Sequence, residues 1–345
     1  MKPQECERTL TTSPATMEAT FSIDADGVAH ITRTLRDFLY SDKLLAGIRE
    51  IGGNAWDAHV AAGIPDVPFK VLLPTRFEPR LSIRDYGLGL SPEFMATRFI
   101  SFGYSDKRGS DKVIGTFGYG CKSPYAYTDT FTVISRHLGT KSTYTCTLNE
   151  RDLGVLRCVH TEPCGDETGL EVVIPVQPKD IYTFQEKARN LYRFFDPVPE
   201  IIPKREGLAP EWIVKTESGG ILSEDYWGNL HVLMGGVPYK IDSSKIKPKM
   251  SGDIYLFMDI GDVDITPNRE SVALTDRTVE AIKAKQEAFW VELRQKLTED
   301  LEVVKNPWEL RQRVRKFGGW ENRVKRDHEE LRRKLPSVGK PKVDS

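Results

Sequence analysis

The sequence predicts an α/β protein of two domains, and three observations carry that prediction. The chain has 345 residues, where a domain typically takes about 100–200. Segments patterned with the strand period and with the helix period follow one another along it. A proline cluster (Pro197, Pro199, Pro203 and Pro210) interrupts them and places a boundary near its end, giving domains over 1–207 and 208–300 and a basic tail over 301–345.

Taken in order, residues 1–20 are polar and rich in Thr and Ser, and read as a mobile arm. Phe21-Ser22-Ile23 alternates like a short strand. A long helix is expected over residues 41–62, with Ser41 as its N-cap and Gly63-Ile64-Pro65 as its stop. Residues 69–73 and 80–84 read as strands closed by turn residues. Residues 101–120 are rich in Gly, Ser, Asp and Lys with little periodicity, and long segments of that kind are lids or disordered. Strands are expected over 130–136, 142–149 and 170–176, and a helix over 179–195. Beyond the prolines, strands near 231–234 and 254–258 precede a helix starting at about Arg277. Its apolar positions Ile282, Phe289, Leu293, Leu297 and Leu301 have helical spacing.

Composition removes several function classes. Hydrophobic residues make up 39% and charged residues 29%, an ordinary globular mix. The formal net charge of −1 excludes a uniformly polybasic nucleic-acid binder, although from Lys305 onward 13 Lys/Arg face 6 Asp/Glu, a local +7. That tail makes a solvated helical face or a docking surface for nucleic acid or anionic membrane the readings open to it. No apolar run approaches the ~20 residues of a membrane-spanning helix. The first residues are too polar for a secretory signal, so a cytoplasmic location is expected. Five cysteines without a C-x-x-C pair disfavour a zinc site or a disulfide framework. Neither H-E-x-x-H nor G-x-S-x-G occurs.

Three constellations remain. Glu50, Asn54 and Asp57 fall within roughly 60° of one another on the expected long helix, so one stripe carries a carboxylate, an amide and a second carboxylate. The helix's cations, Lys43 and Arg49, lie elsewhere on the wheel. Gly52-Gly53 in mid-helix costs about 1 kcal/mol per glycine against alanine, which points to something approaching the backbone closely. Next, Asp85-Tyr86-Gly87-Leu88-Gly89 ends a strand on a carboxylate followed by two glycines. A dinucleotide fingerprint is disfavoured, because the third glycine is missing and the acid precedes the glycines. Third, Gly115-Thr116-Phe117-Gly118-Tyr119-Gly120-Cys121-Lys122-Ser123 almost spells a phosphate loop, but Cys121 breaks the required G-K-S adjacency. Clustered glycines still suit backbone N–H groups wrapped around a polyphosphate.

In this order and spacing the three motifs resemble E-x-x-x-N-x-x-D, D-x-G-x-G and G-x-x-G-x-G. These are the boxes of the Bergerat-type ATP-binding fold shared by DNA gyrase, the heat-shock chaperones, histidine kinases and MutL proteins (the GHKL superfamily). Phrases over 115–129, 168–176, 235–242 and 265–278 are similar to phage rIIA-type proteins, from about residue 20 to 285. The resemblance implies an α+β sandwich whose first domain binds ATP, followed by a smaller transducer-like domain of ribosomal-S5-like α/β fold and a helical tail.

It implies the following roles. Glu50 is the general base toward the γ-phosphate, Asn54 holds Mg²⁺ through its amide oxygen, and Asp57 orients water or the helix. Asp85 accepts the adenine amino proton, with Gly87 and Gly89 passing beneath the base. Gly115, Phe117, Gly118, Tyr119 and Gly120 line the phosphates, Lys107 and Lys122 contact them, and residues 101–120 form the lid. Where the family has Gly-Thr this chain has Thr168-Gly169-Leu170, so a leucine stands where the threonine hydroxyl would be and Thr168 is its nearest substitute. Pro267-Asn268-Arg269-Glu270 resembles the chaperone loop whose arginine reaches the γ-phosphate. The histidine-kinase branch is disfavoured, since no phospho-acceptor histidine on a dimerisation helix is evident. The implied activity is slow Mg²⁺-dependent ATP hydrolysis driving lid closure and homodimerisation, in a phage protein acting against host exclusion or defence, with an rIIB-like partner and peripheral membrane association. A nucleotide-gated interaction protein with negligible turnover is the competing class, and a chaperone-like or DNA-acting accessory ATPase is a further one.

Overall fold

A computed structural model describes residues 24–101, 120–204, 207–222, 228–242, 244–246, 252–266 and 268–303. The expected arm, the strand at 21–23, most of the expected lid and nearly all of the basic tail lie outside them. The protein is mixed α/β and divides into two units. The first covers residues 1–208 with Gly235–Val237, and the second covers the remainder.

The first unit opens with α1 (Ala25–Thr34), which Asp24 caps by accepting from Gly27 N at 2.8 Å. A π-helical turn (Leu35–Leu39) leads into α2 (Lys43–Ala61). Asp42, not Ser41, caps α2, its carboxylate accepting from Leu45 N at 3.0 Å. The two candidates differ by one residue, and only the backbone path decides which oxygen faces the orphan N–H groups.

β1 (Lys70–Leu72) and β2 (Arg80–Arg84) follow, then a short helix (Pro92–Phe94, α3) prolonged by a π turn (Met95–Phe99). A 3-10 turn (Gly120–Ala126) precedes β3 (Thr130–His137), β4 (Thr140–Leu148), β5 (Gly154–Pro163) and β6 (Gly169–Pro175). α4 (Ile181–Tyr192) and β7 (Glu200–Ile202) complete the unit. The sheet order is β5-β4-β3-β6-β2-β1-β7, antiparallel except for the parallel β1–β7 pair. Sequence patterning missed β5, whose side chains are mostly exposed and so alternate weakly, and β7, which sits between Pro199 and Pro203. Proline is tolerated there because β7 is an edge strand and proline removes only one donor.

One sheet face is apolar: Val71, Leu81, Ile83, Phe131, Val133, Val172 and Ile174 are all buried. α2 and α4 also contribute to this core, with Ala46, Ile48, Ile51, Phe184, Ala188 and Tyr192 buried. Phe69, Tyr192 and Phe195 form an edge-to-face triad with centroids 5.4–5.8 Å apart. The close approach signalled by Gly52 is the Tyr192 ring. A Cβ on Gly52 would lie 2.4 Å from Tyr192 Cε1, and the Tyr192 hydroxyl donates to Ile48 O at 2.7 Å. Gly52 is therefore explained by helix packing.

Apart from Val237, the second unit holds β8 (Val214–Lys215), β9 (Gly219–Ile221), β10 (Leu230–Met234), β11 (Val237–Lys240) and β12 (Ile254–Met258) in the order β11-β10-β12-β9-β8. α5 (Asp276–Val303) buries Ile282, Phe289 and Leu293. Glu292 on α5 anchors the turn before β9, accepting from Ser218 N at 2.9 Å and Ser218 Oγ at 2.6 Å. Among the described residues, no helix is long and apolar enough to cross a membrane.

Candidate functional site

The site grows from α2, which buries Glu50 at 3% exposure and Asp57 at 0%, with Asn54 half-buried between them. A buried carboxylate needs compensation. Arg49, equally buried, brings its Nε to 3.6 Å from Glu50 Oε1. The helical wheel sets this cation aside, but its long side chain bends back to the neighbouring carboxylate, which corrects the sequence reading.

The last glycine of the third motif reaches this stripe. A Cβ on Gly120 would stand 2.8 Å from Glu50 Oε2 and 3.6 Å from Asn54 Nδ2. A side chain there would displace the Glu50 carboxylate, while its contact with Asn54 would be an ordinary one. Lys122, two residues on, is buried, donates from Nζ to Ser101 O at 2.6 Å and lies 5.7 Å above the Phe99 ring. Its ammonium thus ties residue 101 to the 3-10 turn. Lys107, Gly115, Phe117, Gly118 and Tyr119 lie outside the described residues.

The second motif packs against the C-terminal end of α2. Asp85, buried just after β2, accepts on Oδ1 from Gly87 N at 2.9 Å and Leu170 N at 3.0 Å, and its own N donates to Leu170 O at 2.8 Å. The residue that meets the carboxylate is therefore Leu170, through its backbone N–H, while Thr168 is exposed. Two glycines make this corner sterically possible. Gly169, at φ +111°, would place a Cβ 2.1 Å from Asp85 O, and Gly89, at φ +69°, 2.2 Å from Arg136 O. Gly87 sits against α2, where a Cβ would come within 3.1 Å of Ala58 O.

Sequence reasoning missed two contributors. His59, at the end of α2, hydrogen-bonds Val67 O through Nδ1 at 2.7 Å and receives Tyr86 N–H on Nε2 at 2.8 Å. A lone histidine on a helix gives no pattern, so the sequence offered no signal for it. Buried Arg136 pairs with half-buried Glu171 at 3.1 Å, extended by Ser82 Oγ donating to Glu171 at 2.7 Å and by Arg84 to Glu167 at 3.0 Å. This network binds β2, β3 and β6 together beneath the Asp85 corner.

Behind the 3-10 turn, burial pushes the Cys146 thiol up to about 12, with Cys121 adding to the effect, and it raises the Tyr125 phenol for the same first reason. These groups are neutral at physiological pH. Arg269 belongs to the second unit. It is 5% exposed, has a left-handed backbone at φ +56° and sits in a tight turn closed by Arg269 N–H to Thr266 O at 2.8 Å. A non-glycine residue in this conformation stores strain of order 1–3 kcal/mol.

The structure thus brings Glu50, Asn54, Gly120, Asp85, Gly87 and Gly169 into one region of the first unit. Among the described residues, no group of three His, Cys, Asp or Glu side chains is placed to hold a metal by itself. Compared with known proteins, the chain matches no family model and no curated protein.

Proposed function

We propose that the first unit is a Bergerat-type ATP-binding domain that hydrolyses ATP slowly, with Glu50 as general base. The observation that carries the reading is the seating of Gly120 against Glu50 and Asn54, which joins the glycine-rich motif to the carboxylate–amide stripe. Asp85, held by two backbone N–H groups, supports it.

The residues present fit Mg²⁺ and a polyphosphate. Asn54 offers a hard amide oxygen, and Gly120 brings the backbone of the glycine-rich motif beside it without a side chain between. When bound, the metal neutralises phosphate charge. Glu50 accepts the proton of the attacking water, a role worth about 10²–10⁴-fold. Asp85 accepts an N–H from adenine's amino group, which guanine cannot offer at that position. The wider setting rests on the sequence resemblance: an ATP-dependent homodimer, an rIIB-like partner and a phage protein acting against host defence.

A melting experiment tests the reading. Mg-ATP at 100 times its Kd stabilises by about 2.7 kcal/mol, a rise of roughly 5–10 °C for a domain of this size. Asp85→Asn should abolish the rise. No shift at millimolar nucleotide refutes the assignment, and measuring turnover beside affinity separates an ATPase from a nucleotide-gated interaction protein.

A further inference from the structure

We propose that His59 fixes the orientation of the Asp85 turn and thereby sets selectivity for adenine over guanine nucleotides, a proposal that rests on the ATP reading of this site. His59 is 1% exposed, and both ring nitrogens are engaged by backbone atoms of different segments. A backbone N–H can only donate, so Nε2, which meets Tyr86 N, carries no proton. The proton therefore sits on Nδ1 and is donated to Val67 O. The ring is enclosed by Phe69, 6.4 Å away and nearly perpendicular, and by Tyr86 at 5.9 Å.

The two bonds differ in consequence. Val67 O belongs to the connection between α2 and β1, and tethering it stabilises that connection. Tyr86 N belongs to the peptide plane that begins at Asp85, so the bond to Nε2 fixes that plane. The following residue, Gly87, is wedged against Ala58, the helix residue next to His59. Consecutive residues of α2 thus hold the consecutive residues that follow Asp85. On the far side, Gly169 leaves no space behind Asp85 O, and Leu170 N fixes the carboxylate oxygen. The carboxylate points one way only while the plane behind it is held.

Base selection needs that rigidity. A carboxylate accepts adenine's exocyclic N–H and opposes guanine's carbonyl, acceptor against acceptor. Sites built on buried polar groups discriminate strongly because a mismatched partner leaves those groups unsatisfied. A carboxylate free to swing would lose ATP affinity and tolerate GTP.

The test uses the full chain and three variants. In His59→Gln the amide oxygen reaches the place of Nε2 and keeps the Tyr86 bond. In His59→Asn the amide nitrogen replaces Nδ1 and keeps only the Val67 bond, and His59→Phe keeps neither. ATP and GTP affinities are measured by titration calorimetry, and hydrogen exchange is followed at the Tyr86 amide. The expected result is wild-type selectivity in Gln, and an ATP:GTP affinity ratio lowered roughly tenfold in Asn and Phe. Tyr86 exchange should be faster in Asn and Phe alone. An Asn variant with wild-type selectivity, or Tyr86 exchange unchanged across the series, overturns the proposal. Wild-type protein that binds neither nucleotide refutes the ATP reading and the selectivity claim with it, and the exchange series then reports separately on the grip of His59.

Discussion

Gly52→Ala opposes two effects whose sizes can be compared. Helix propensity favours alanine by about 1 kcal/mol at a mid-helix site. Against this, the new Cβ would lie 2.4 Å from Cε1, 2.6 Å from the hydroxyl and 2.9 Å from Cζ of Tyr192, a fully buried ring. Overpacking of this kind costs about 1–3 kcal/mol. Displacing the ring also strains its hydrogen bond to Ile48 O, worth about 0.5–1.5 kcal/mol. The net expectation is a loss of about 2 kcal/mol, or a fall of roughly 4–8 °C in melting temperature for a unit of this size. Gly47, on the same helix, supplies the control. Its added Cβ would stand 3.5 Å from Ile174 Cδ1, an ordinary contact, so Gly47→Ala should hold or raise the melting temperature. Circular dichroism melts of both variants decide the matter. A Gly52→Ala protein that melts as high as Gly47→Ala would show that the Tyr192 ring yields freely and that the packing argument is wrong.

Glu50→Ala should lower ATP turnover about 10²-fold or more while leaving Kd within a few-fold, since it removes a base and no binding group; equal losses of rate and affinity in steady-state and calorimetric assays would assign Glu50 to folding. Iodoacetamide near pH 8 should label exposed Cys158 and spare buried Cys146, whose thiol burial pushes up to about 12; peptide mass mapping that finds Cys146 modified in folded protein would contradict this. Burial alone would raise the Glu292 carboxyl, but hydrogen bonds from Ser218 and Thr216 outweigh it and hold the group below its usual range. Its contribution to stability is therefore present above the ordinary glutamate range and lost as pH falls through the lowered value. Urea midpoints of the second unit measured against pH should show this acid loss reduced in Glu292→Gln.

How much could be read from the sequence depended on whether partners were local. The strand at Arg80–Arg84 was legible to the residue, because Leu81 and Ile83 alternate with Ser82 and Arg84 and turn residues close both ends. The stripe of Glu50, Asn54 and Asp57 followed from helical geometry alone. Gly52 was legible as an anomaly, but its cause was not, since Tyr192 is far away in the chain. Arg49 was set aside because neighbouring positions on a helix do not face each other, yet a long side chain can fold back along the surface. His59 escaped because its partners, Val67 O and Tyr86 N, are backbone atoms that every residue carries, so no choice of residue type announces them. The cap at Asp42 and the strand between two prolines were decided by the path of the backbone and by an edge position, which residue preferences do not encode.

The strand order has a consequence for how the protein is made. β2 carries Asp85 to its place, but the backbone that fixes the carboxylate, at Leu170, emerges 85 residues later. At about 5–20 residues per second, a ribosome delivers it roughly 4–17 s after Asp85 itself. The Tyr192 contact to Ile48 and the pairing of β7 with β1 wait longer still, across 144 residues in the first case. A nascent chain therefore carries Asp85 for seconds with only the β1–β2 pair beside it, and β2 and β3 cannot be joined until β6 between them has left the exit tunnel. The order of synthesis thus closes the Asp85 corner late, and only the docking of Tyr192 and the pairing of β7 come after it.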